Sequence, residues 1–189
     1  MSIGSDFMFK KLNILDESDK RLRIVSKDAT LPLTEEYKEL VDRMITELTY
    51  SQIEEYEKKY DLRPGMGLAF PQIGINERII VIVYEYDEGK FEEYVVVNPK
   101  IVSTSNEMIA AEVGEGCLSV NRDVEGHVKR YARVTVEGYD VDGNKIRIRA
   151  REELAIAFQH EVDHLNGIIF YDRIDKNKPF YTDGEIRLI

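Results

Sequence analysis

The sequence is poor in the residues that cross-link a chain or anchor it in a membrane. It holds a single cysteine, Cys117, so no disulfide can form within the chain. No apolar run approaches the roughly 20 residues that a membrane-spanning helix needs. The first six residues, MSIGSD, lack the basic start and apolar core of a secretion signal. We therefore expect a protein of the cytoplasm whose cysteine is a buried apolar residue, a nucleophile or a metal ligand.

Positive charge is also scarce. The 26 Lys and Arg residues face 36 Asp and Glu residues, which gives a formal net charge of −10. An acidic chain is repelled by phosphate backbones and by anionic lipids. The basic clusters are short, and we interpret them as solvated faces of strands because no nucleic-acid-binding motif accompanies them. They are Lys129 with Arg130, and the alternating Arg147, Arg149 and Arg151. The composition disfavours general nucleic-acid binding.

The chain does contain a clear helical pattern after a less regular start. Its 189 residues fit a single domain, residues 1–189. Residues 1–33 follow neither the helical nor the strand period and are predicted to form an extended arm. Thr34 is a good helix N-cap, and an apolar stripe after it predicts an amphipathic helix. The stripe consists of Tyr37, Leu40, Val41, Met44, Ile45 and Leu48. The segment from Ser51 to Tyr60 continues or restarts this helix.

Strand signals fill the middle of the chain. Runs of β-branched and aromatic residues predict five strands, at residues 79–86, 91–97, 100–103, 133–139 and 145–150. The first two runs flank a turn at residues 87–90, and the last two flank a turn at residues 140–144, so each pair is predicted to form a hairpin. The sheet is therefore largely antiparallel. A final helix is predicted from Glu152 to Leu165, ended by Asn166 and Gly167.

The strongest motif lies in that last helix, in the run HEVDH at residues 160–164. Residues four apart share one face of a helix, so His160 and His164 can bind one metal ion with Glu161 beside them. A metal held in this way acidifies water and polarises a carbonyl, while the glutamate takes a proton and delivers it to the leaving amine. The chain has only three histidines, and two stand at this spacing. The motif predicts a metal-dependent hydrolase.

A hydrolytic metal site keeps three protein ligands and one open position, so a third ligand must come from elsewhere. A histidine six residues after the second would complete one metalloprotease class, but that position holds Phe170. Glu185, His127 and Cys117 remain as candidates. Glu185 lies in a non-helical tail, and His127 is more typical of a surface or peptide-contacting residue. Cys117 follows Gly116, which permits close approach of the backbone; the alternative is an inert buried thiol.

Three segments together resemble the signature of the peptide deformylases. They are GMGLAFPQ at residues 65–72, EGCLS at 115–119 and QHEVDHLNG at 159–167, and their order and separation match the family as well. The resemblance implies a metal site of Cys117, His160 and His164, with Glu161 as general acid and base. It also implies an activity, the hydrolysis of the N-formyl group from the initiating methionine of newly made proteins with release of formate.

The resemblance also assigns the groups around the metal. The Gln72 side chain and the Leu118 backbone amide would donate hydrogen bonds to the developing formyl oxyanion, and such donors are worth about 2.7 to 4 kcal/mol each in other hydrolases. Glu115 and Arg130 would pair to support the cysteine loop. Glycines without side chains let an extended peptide lie along the backbone as an added strand. The residues implied for substrate binding are Gly65, Met66, Gly67, Leu68, Val113, Gly116, Ile156 and Ala157.

The implied cofactor is one divalent metal ion. Cys-His-His ligation accepts zinc, iron, cobalt or nickel, and the resemblance favours Fe²⁺ in the cell, with Zn²⁺, Ni²⁺ or Co²⁺ in purified samples. The implied partners are N-formylmethionyl peptides and nascent chains, with a transient ribosome contact. We expect a monomer that does not bind a membrane. A ribosome contact needs a local basic patch, and none can be located in the sequence.

The expected fold is of the α+β class, with antiparallel sheets packed around a central metal-binding helix and with an N-terminal amphipathic helix. One departure from the family is Phe70, where alanine is usual, and it is expected to change the packing behind the first motif and the depth of the pocket. Two alternatives stay open. A zinc endopeptidase would cleave internal peptide bonds, and a degenerate binding module would dock nascent chains without releasing formate.

Overall fold

The computed structural model describes residues 9–182 and 184–189. Within them lie three α-helices: α1 (Glu35–Ser51), α2 (Glu54–Tyr60) and α3 (Glu152–Leu165). The strands there are β1 (Gly67–Ala69), β2 (Ile79–Asp87), β3 (Lys90–Thr104), β4 (Met108–Ala110), β5 (Arg130–Tyr131), β6 (Arg133–Tyr139), β7 (Lys145–Arg151) and β8 (Arg187–Leu188). Short 3-10 helices occur at Lys20–Arg23, Phe70–Ile73 and Phe170–Arg173. The expected combination of antiparallel sheets and helices is present.

The N-terminal arm is less regular than an extended segment. Residues 1–8 of the predicted arm lie outside the described residues. From residue 9 to residue 33 the chain is irregular, except for a β-bridge of Lys27 with Glu77 and for the 3-10 helix Lys20–Arg23, in which Leu22 is fully buried. The Asp19 carboxylate accepts a hydrogen bond from the Arg21 amide at 2.9 Å and starts this turn. A single turn with one buried leucine shows no periodicity, so the sequence pattern could not predict it.

Helix α1 begins where the sequence predicts. The Thr34 hydroxyl accepts a hydrogen bond from the Tyr37 amide at 3.3 Å, and this satisfies one of the free donors of the first turn. The helix ends at Ser51, and the chain restarts as α2 because Ile53 adopts an extended conformation. The buried side of α1 consists of Val41, Met44, Glu47, Leu48 and Ser51.

Five strands form the main sheet, in the order β1-β2-β3-β6-β7, and each neighbouring pair is antiparallel. The two predicted hairpins, β2–β3 and β6–β7, are confirmed. The prediction of a separate strand at residues 100–103 is wrong, because β3 continues through Pro99. A register shift between Val97 and Lys100, with Asn98 at a φ of 53°, accommodates the proline as a bulge.

A second, smaller sheet is absent from the sequence prediction. Its order is β5-β4-β8, and β4 pairs with β8 in parallel, so the sheets are not entirely antiparallel. Its strands are only two or three residues long. Such short strands show no alternation of apolar and polar residues that a pattern could detect. This sheet brings residues 187–188 beside β4, just before the loop that carries Cys117.

The main sheet is covered on both faces at its β1–β2 end. Successive residues of a strand point to opposite faces, and β2 uses both. Ile80 and Ile82 pack in one apolar cluster with Phe158 of α3, whereas Ile79 and Val81 pack in another with α1. Every residue of α3 from Leu154 to Leu165 is buried. Among the described residues, no helix has the length and apolar character required to cross a bilayer.

Candidate active site

The two histidines of the HEVDH run lie side by side on α3. The ring centroids of His160 and His164 are 5.0 Å apart. Both side chains are enclosed, with 9% and 1% of the residue surface exposed. The helix ends immediately after them, at Asn166 and at Gly167 with a φ of 72°, a conformation that favours glycine. The four-residue spacing thus brings the two imidazoles to one buried place, as the sequence predicts.

Cys117 reaches the same place from the loop between β4 and β5. Its Sγ lies 3.3 Å from His164 Nε2. The potential ligand atoms of Cys117, His160 and His164 all lie within 4.8 Å of one another, and the rest of the described chain shows no other such group. A thiolate with two imidazoles is a donor set that zinc, iron, cobalt and nickel accept. These three residues therefore fit a metal ion.

The other two candidate third ligands are engaged elsewhere. The His127 Nδ1 atom accepts a hydrogen bond from the Tyr181 amide at 2.9 Å, and Nε2 lies 3.1 Å from the Glu112 carbonyl oxygen. Of the two interpretations of His127, a surface or a peptide-contacting residue, the first is wrong, since only 6% of His127 is exposed. Glu185 accepts a hydrogen bond from the Thr182 amide at 2.9 Å. Neither residue belongs to the cluster around Cys117.

A chain of buried charges orients His160. Glu115 Oε2 lies 2.9 Å from His160 Nδ1, and Arg130 donates to both oxygens of Glu115 at 2.8 and 2.9 Å. Arg130 also donates to Asp163 at 2.6 Å. Burial raises the pKa of Glu115, but hydrogen bonds from Arg130 and His160 outweigh it and lower that pKa to about 2. An ionised carboxylate only accepts, so His160 holds a proton on Nδ1 and keeps Nε2 for the metal.

Two buried atoms at the site have no hydrogen-bond partner among the described residues. They are Glu161 Oε2 and His164 Nδ1. Burial lowers the pKa of His164 well below its usual value, which keeps this ring neutral, the form that binds a metal. Burial also raises the pKa of Glu161 to about 7, and such a carboxyl group can both take and give a proton near neutral pH. Water and substrate are the partners that the Glu161 oxygen suits.

The glycines of the first motif make room for the site. A Cβ atom at Gly67 would collide with the Glu161 carboxylate, and one at Gly65 would lie 2.8 Å from Leu118 Cδ1. Neither glycine has a positive φ. The close approach of β1 to α3, and of the segment before β1 to the cysteine loop, rather than the backbone conformation, favours glycine at both positions.

Gln72 and Leu118 flank the cysteine. Gln72 Oε1 accepts a hydrogen bond from the Ala69 amide at 2.9 Å, which orients the Gln72 side chain. Its Nε2 then lies 3.6 Å from Cys117 Sγ and 3.1 Å from Ser119 Oγ. The Leu118 amide finds no acceptor among the described residues. The site thus has an oriented side-chain donor and a free backbone donor next to Cys117.

A pocket of about 350 Å³ opens onto these groups. Six of the eight residues predicted to bind substrate line it, namely Gly65, Met66, Gly67, Gly116, Ile156 and Ala157. The other two, Leu68 and Val113, are not among the residues that line it. Leu68 alternates with Gly67 along β1 and is fully buried on the α1 side, and Val113 is 98% exposed at the tip of its loop.

Arg63 is a residue of this site that the sequence reasoning missed. Its guanidinium donates to the carbonyl oxygens of Cys117 at 3.2 Å and of Val120 at 2.9 Å, and to the Asn121 side chain at 2.6 Å. It therefore holds the cysteine loop against the segment before Gly65. Its acceptors lie more than 50 residues further along the chain, so no local pattern could have indicated the contact.

Phe70 packs away from the site. Its ring is fully buried, and it meets Tyr37 of α1 edge to face with ring centroids 5.3 Å apart. The expected change of packing behind the first motif is therefore located at α1. Phe70 does not line the pocket, so the expected change in pocket depth is not found.

Comparison with known proteins identifies the family. A sequence profile described as Polypeptide deformylase matches residues 11–180 of the chain. The chain belongs to the peptide deformylase family. Peptide deformylase 2 of Geobacillus stearothermophilus is 45% identical over 180 residues, which are 95% of this chain and 98% of that protein. Peptide deformylase 2 of Bacillus subtilis is 46% identical over 168 residues, which are 89% of this chain and 91% of that protein.

Solved structures agree with this assignment. A crystal structure of a plant peptide deformylase superposes with a TM-score of 0.73 at 32% sequence identity, and covers 91% of this chain and 85% of that one. A class I type b peptide deformylase from Acinetobacter baumannii superposes with a TM-score of 0.69 at 29% identity, over 86% of this chain and 98% of that one. The chain is therefore a metal-dependent hydrolase that removes the N-formyl group from the formylmethionine of newly made proteins and releases formate.

Proposed function

We propose that Cys117, His160 and His164 hold one divalent metal ion, Fe²⁺ in the cell, and that Glu161 carries the proton during deformylation. The observation that supports this most directly is the buried cluster of three ligand atoms within 4.8 Å, beside a carboxylate oxygen without a partner. When bound, the ion supplies a Lewis acid that polarises the formyl carbonyl and acidifies water. Thiolate and imidazole donors accept ferrous iron, zinc, nickel and cobalt, and availability decides among them.

Glu161 provides both proton transfers in this proposal. Its buried carboxylate takes the proton from the attacking water on Oε2 and returns it to the leaving nitrogen of methionine. A pKa of about 7 suits both directions of transfer near neutral pH. Glu161 is not part of the three-ligand cluster, so its role is separable from metal binding.

Gln72 and Leu118 stabilise the oxygen of the formyl group as it becomes negative. The Gln72 Nε2 donor is held beside Cys117 by the hydrogen bond from Ala69 to Gln72 Oε1. The Leu118 amide has no acceptor of its own among the described residues, so it can donate to substrate without losing another bond. Donors oriented before the reaction need no rearrangement as the charge develops.

The pocket receives the methionine side chain. Met66, Ile156 and Ala157 form its apolar wall, and the glycines Gly65, Gly67 and Gly116 leave room for the peptide backbone. An extended substrate would then lie along β1, which is the end strand of the main sheet. We further propose that residues 1–189 form one catalytic domain, which works as a monomer in the cytoplasm and meets nascent chains in transient contact with the ribosome.

Formate release tests the proposed centre. Protein purified without oxygen and loaded with Fe²⁺, Ni²⁺ or Zn²⁺ should release formate from an N-formylmethionyl peptide. N-acetyl and unformylated peptides serve as controls and should not react. Cleavage of an internal peptide bond would instead support an endopeptidase. Peptide binding without formate release at full metal loading would support a binding module.

Metal analysis of Cys117→Ser tests the ligand set. Replacing the thiolate by a hydroxyl should lower the metal content after dialysis or change which metal is retained. Ser119→Ala is the matched control, because it alters the same loop without removing a proposed ligand. Unchanged metal content and activity in Cys117→Ser would make this cysteine a buried apolar residue rather than a ligand.

A further inference from the structure

The outer face of β3, β6 and β7 collects positive charge that is dispersed along the sequence. Cross-strand pairs place Lys100 opposite Glu137, and Arg133 opposite Arg151. The inward residues of β6 and β7, such as Val134 and Ala150, pack toward α3. The outward side chains therefore lie on the opposite side of the sheet from α3. Six exposed cations share this outer face, Lys100, Arg133, Lys145, Arg147, Arg149 and Arg151.

Few carboxylates neutralise this basic face. Glu137 lies on it and pairs with Arg147 at 2.8 Å. Glu107, which immediately precedes β4, pairs with Arg133 at 2.8 Å. Among the described residues, the other four cations of the face have no carboxylate partner. A protein with a net charge of −10 thus carries a local excess of positive charge on one sheet surface.

The end of this face has the chemistry of a phosphate site. A hollow of about 380 Å³ is lined by Arg133, Arg149 and Arg151, among other residues. Four residues with hydroxyl groups also line it, namely Ser103, Thr104, Ser105 and Thr135. No carboxylate lines it. Arginine forks and hydroxyl donors are the groups that bind phosphate oxygens, and arginine binds them in pairs of hydrogen bonds.

We propose that the basic face binds the phosphate backbone of RNA. The cations of β7 recur at every second residue, about 6.6 Å apart, and so form a row rather than a single point. A row of charges suits a polyanion better than one small phosphate ligand. Among the described residues of the face, Val102 is the one exposed large hydrophobic residue, and a single valine gives little apolar surface to enter a lipid layer. RNA is therefore favoured over an anionic membrane.

The position of the face is compatible with deformylation. The sheet and α3 separate it from the metal cluster, so RNA bound there would leave the pocket open. The substrate is the start of a nascent chain, and a nascent chain emerges from the ribosome, which is rich in RNA. This inference rests on the proposed ribosome contact and names the surface that would make it.

RNA binding by wild type and two matched double variants tests the proposal. Arg149→Gln/Arg151→Gln removes two cations from the basic face. Lys58→Gln/Lys59→Gln removes two exposed cations from α2 and changes the net charge equally. The probe is a short fluorescent single-stranded RNA, measured by anisotropy over a range of salt concentrations. The face variant should bind about tenfold more weakly, with a salt slope smaller by about 0.7 for each lost phosphate contact, and the α2 variant should bind like wild type.

Formate release from the same samples checks that each variant is folded and keeps this test independent of the catalytic proposal. A second face variant, Lys100→Gln/Lys145→Gln, should also weaken RNA binding while formate release stays unchanged. The proposal is overturned if wild type does not bind the RNA. It is equally overturned if Arg149→Gln/Arg151→Gln and Lys58→Gln/Lys59→Gln weaken RNA binding to the same extent. It is also overturned if vesicles containing phosphatidylglycerol bind and RNA does not. RNA binding without formate release would instead contradict the catalytic assignment alone.

Discussion

The two halves of the candidate metal site are built in different ways. Helix α3 presents His160 and His164 from one face, at a spacing that local helix geometry alone produces. The cysteine loop presents Cys117 from irregular backbone, which is held by Arg63 and by the Glu115 contacts with residues far along the chain. The helical half is therefore a local structure made rigid by burial. The loop half depends on long-range polar contacts, and changes in the two halves should have different consequences.

The largest effect is expected in the helical half, from Glu161→Ala. Loss of the proton carrier should lower kcat about 10²- to 10⁴-fold. The metal content should remain that of wild type, because Glu161 is not among the three proposed ligands. Formate release and elemental analysis of the same sample measure the two quantities, with Glu55→Ala, an exposed carboxylate on α2, as control. Loss of metal together with activity would contradict the separation of roles.

Arg130→Met should break the connection between the two halves. It leaves Glu115 and Asp163 buried without their shared cation, and losing one partner of a buried ion pair costs about 3–5 kcal/mol of unfolding free energy. Denaturant unfolding measures this loss. The control is Arg147→Met, an exposed pair with Glu137, where less than about 1 kcal/mol is expected. Equal losses in the two variants would show that the buried network does not hold the loop to α3.

Glu161 and Glu115 should respond to pH in opposite directions in metal-free protein. The pKa of Glu161 is raised to about 7, so its contribution to stability is present below its ordinary value near 4.5 and is lost as pH rises through 7. Glu161→Gln should therefore exceed wild type in stability above pH 7, by up to about 3 kcal/mol, and match it below pH 4.5.

The pKa of Glu115 is lowered to about 2, so its contribution is present above pH 4.5 and is lost as pH falls toward 2. Glu115→Gln should be less stable than wild type at neutral pH, and the difference should shrink below pH 4.5. Chemical unfolding at a series of pH values compares both variants with wild type. Parallel profiles for the two variants would contradict the opposite environments of these carboxyl groups.

The smallest of these effects is expected from Arg63→Ala in the loop half. Its hydrogen bonds to the Cys117 and Val120 carbonyls hold the cysteine loop, and bonds from a charged donor are worth about 1.5–3 kcal/mol. We expect about a tenfold lower kcat/KM, with weaker metal retention. Arg122→Ala, an exposed residue paired with Glu17, is the control and should behave like wild type. A wild-type kcat/KM in Arg63→Ala would show that the loop holds its position without this side chain.

Much of the fold follows from local sequence patterns. The cap at Thr34 and the apolar stripe after it mark α1, and the segment from Glu152 to Leu165 was predicted with the bounds that α3 has. The short strands β4, β5 and β8 have too few residues to show a pattern. The sequence does not show that Leu68 and Val113 lie outside the lining of the pocket, because the direction of a side chain depends on the strand or loop that carries it and not on its neighbours in sequence.

The location of the basic face also could not be predicted from local sequence patterns. The alternation of Arg147, Arg149 and Arg151 predicts a solvated strand face, and their exposure agrees with that prediction. Lys100 and Arg133 lie on other strands, so only the pairing of β3, β6 and β7 brings the six cations together. A count of charges over the whole chain could not locate this surface.

The sequence by itself determined the elements and the chemical groups of this protein. Hydrophobic periodicity and capping residues act over a few neighbouring positions, so they predicted α1, α3 and two hairpins, and the spacing of His160 and His164 predicted a metal-binding face. The residues alone left the third ligand open among Cys117, His127 and Glu185. Tertiary structure decided which atoms meet: Cys117 beside His164, Arg63 on the cysteine loop, and Glu161 against Gly67. Such contacts join residues far apart in sequence, and only packing of the whole chain brings them together.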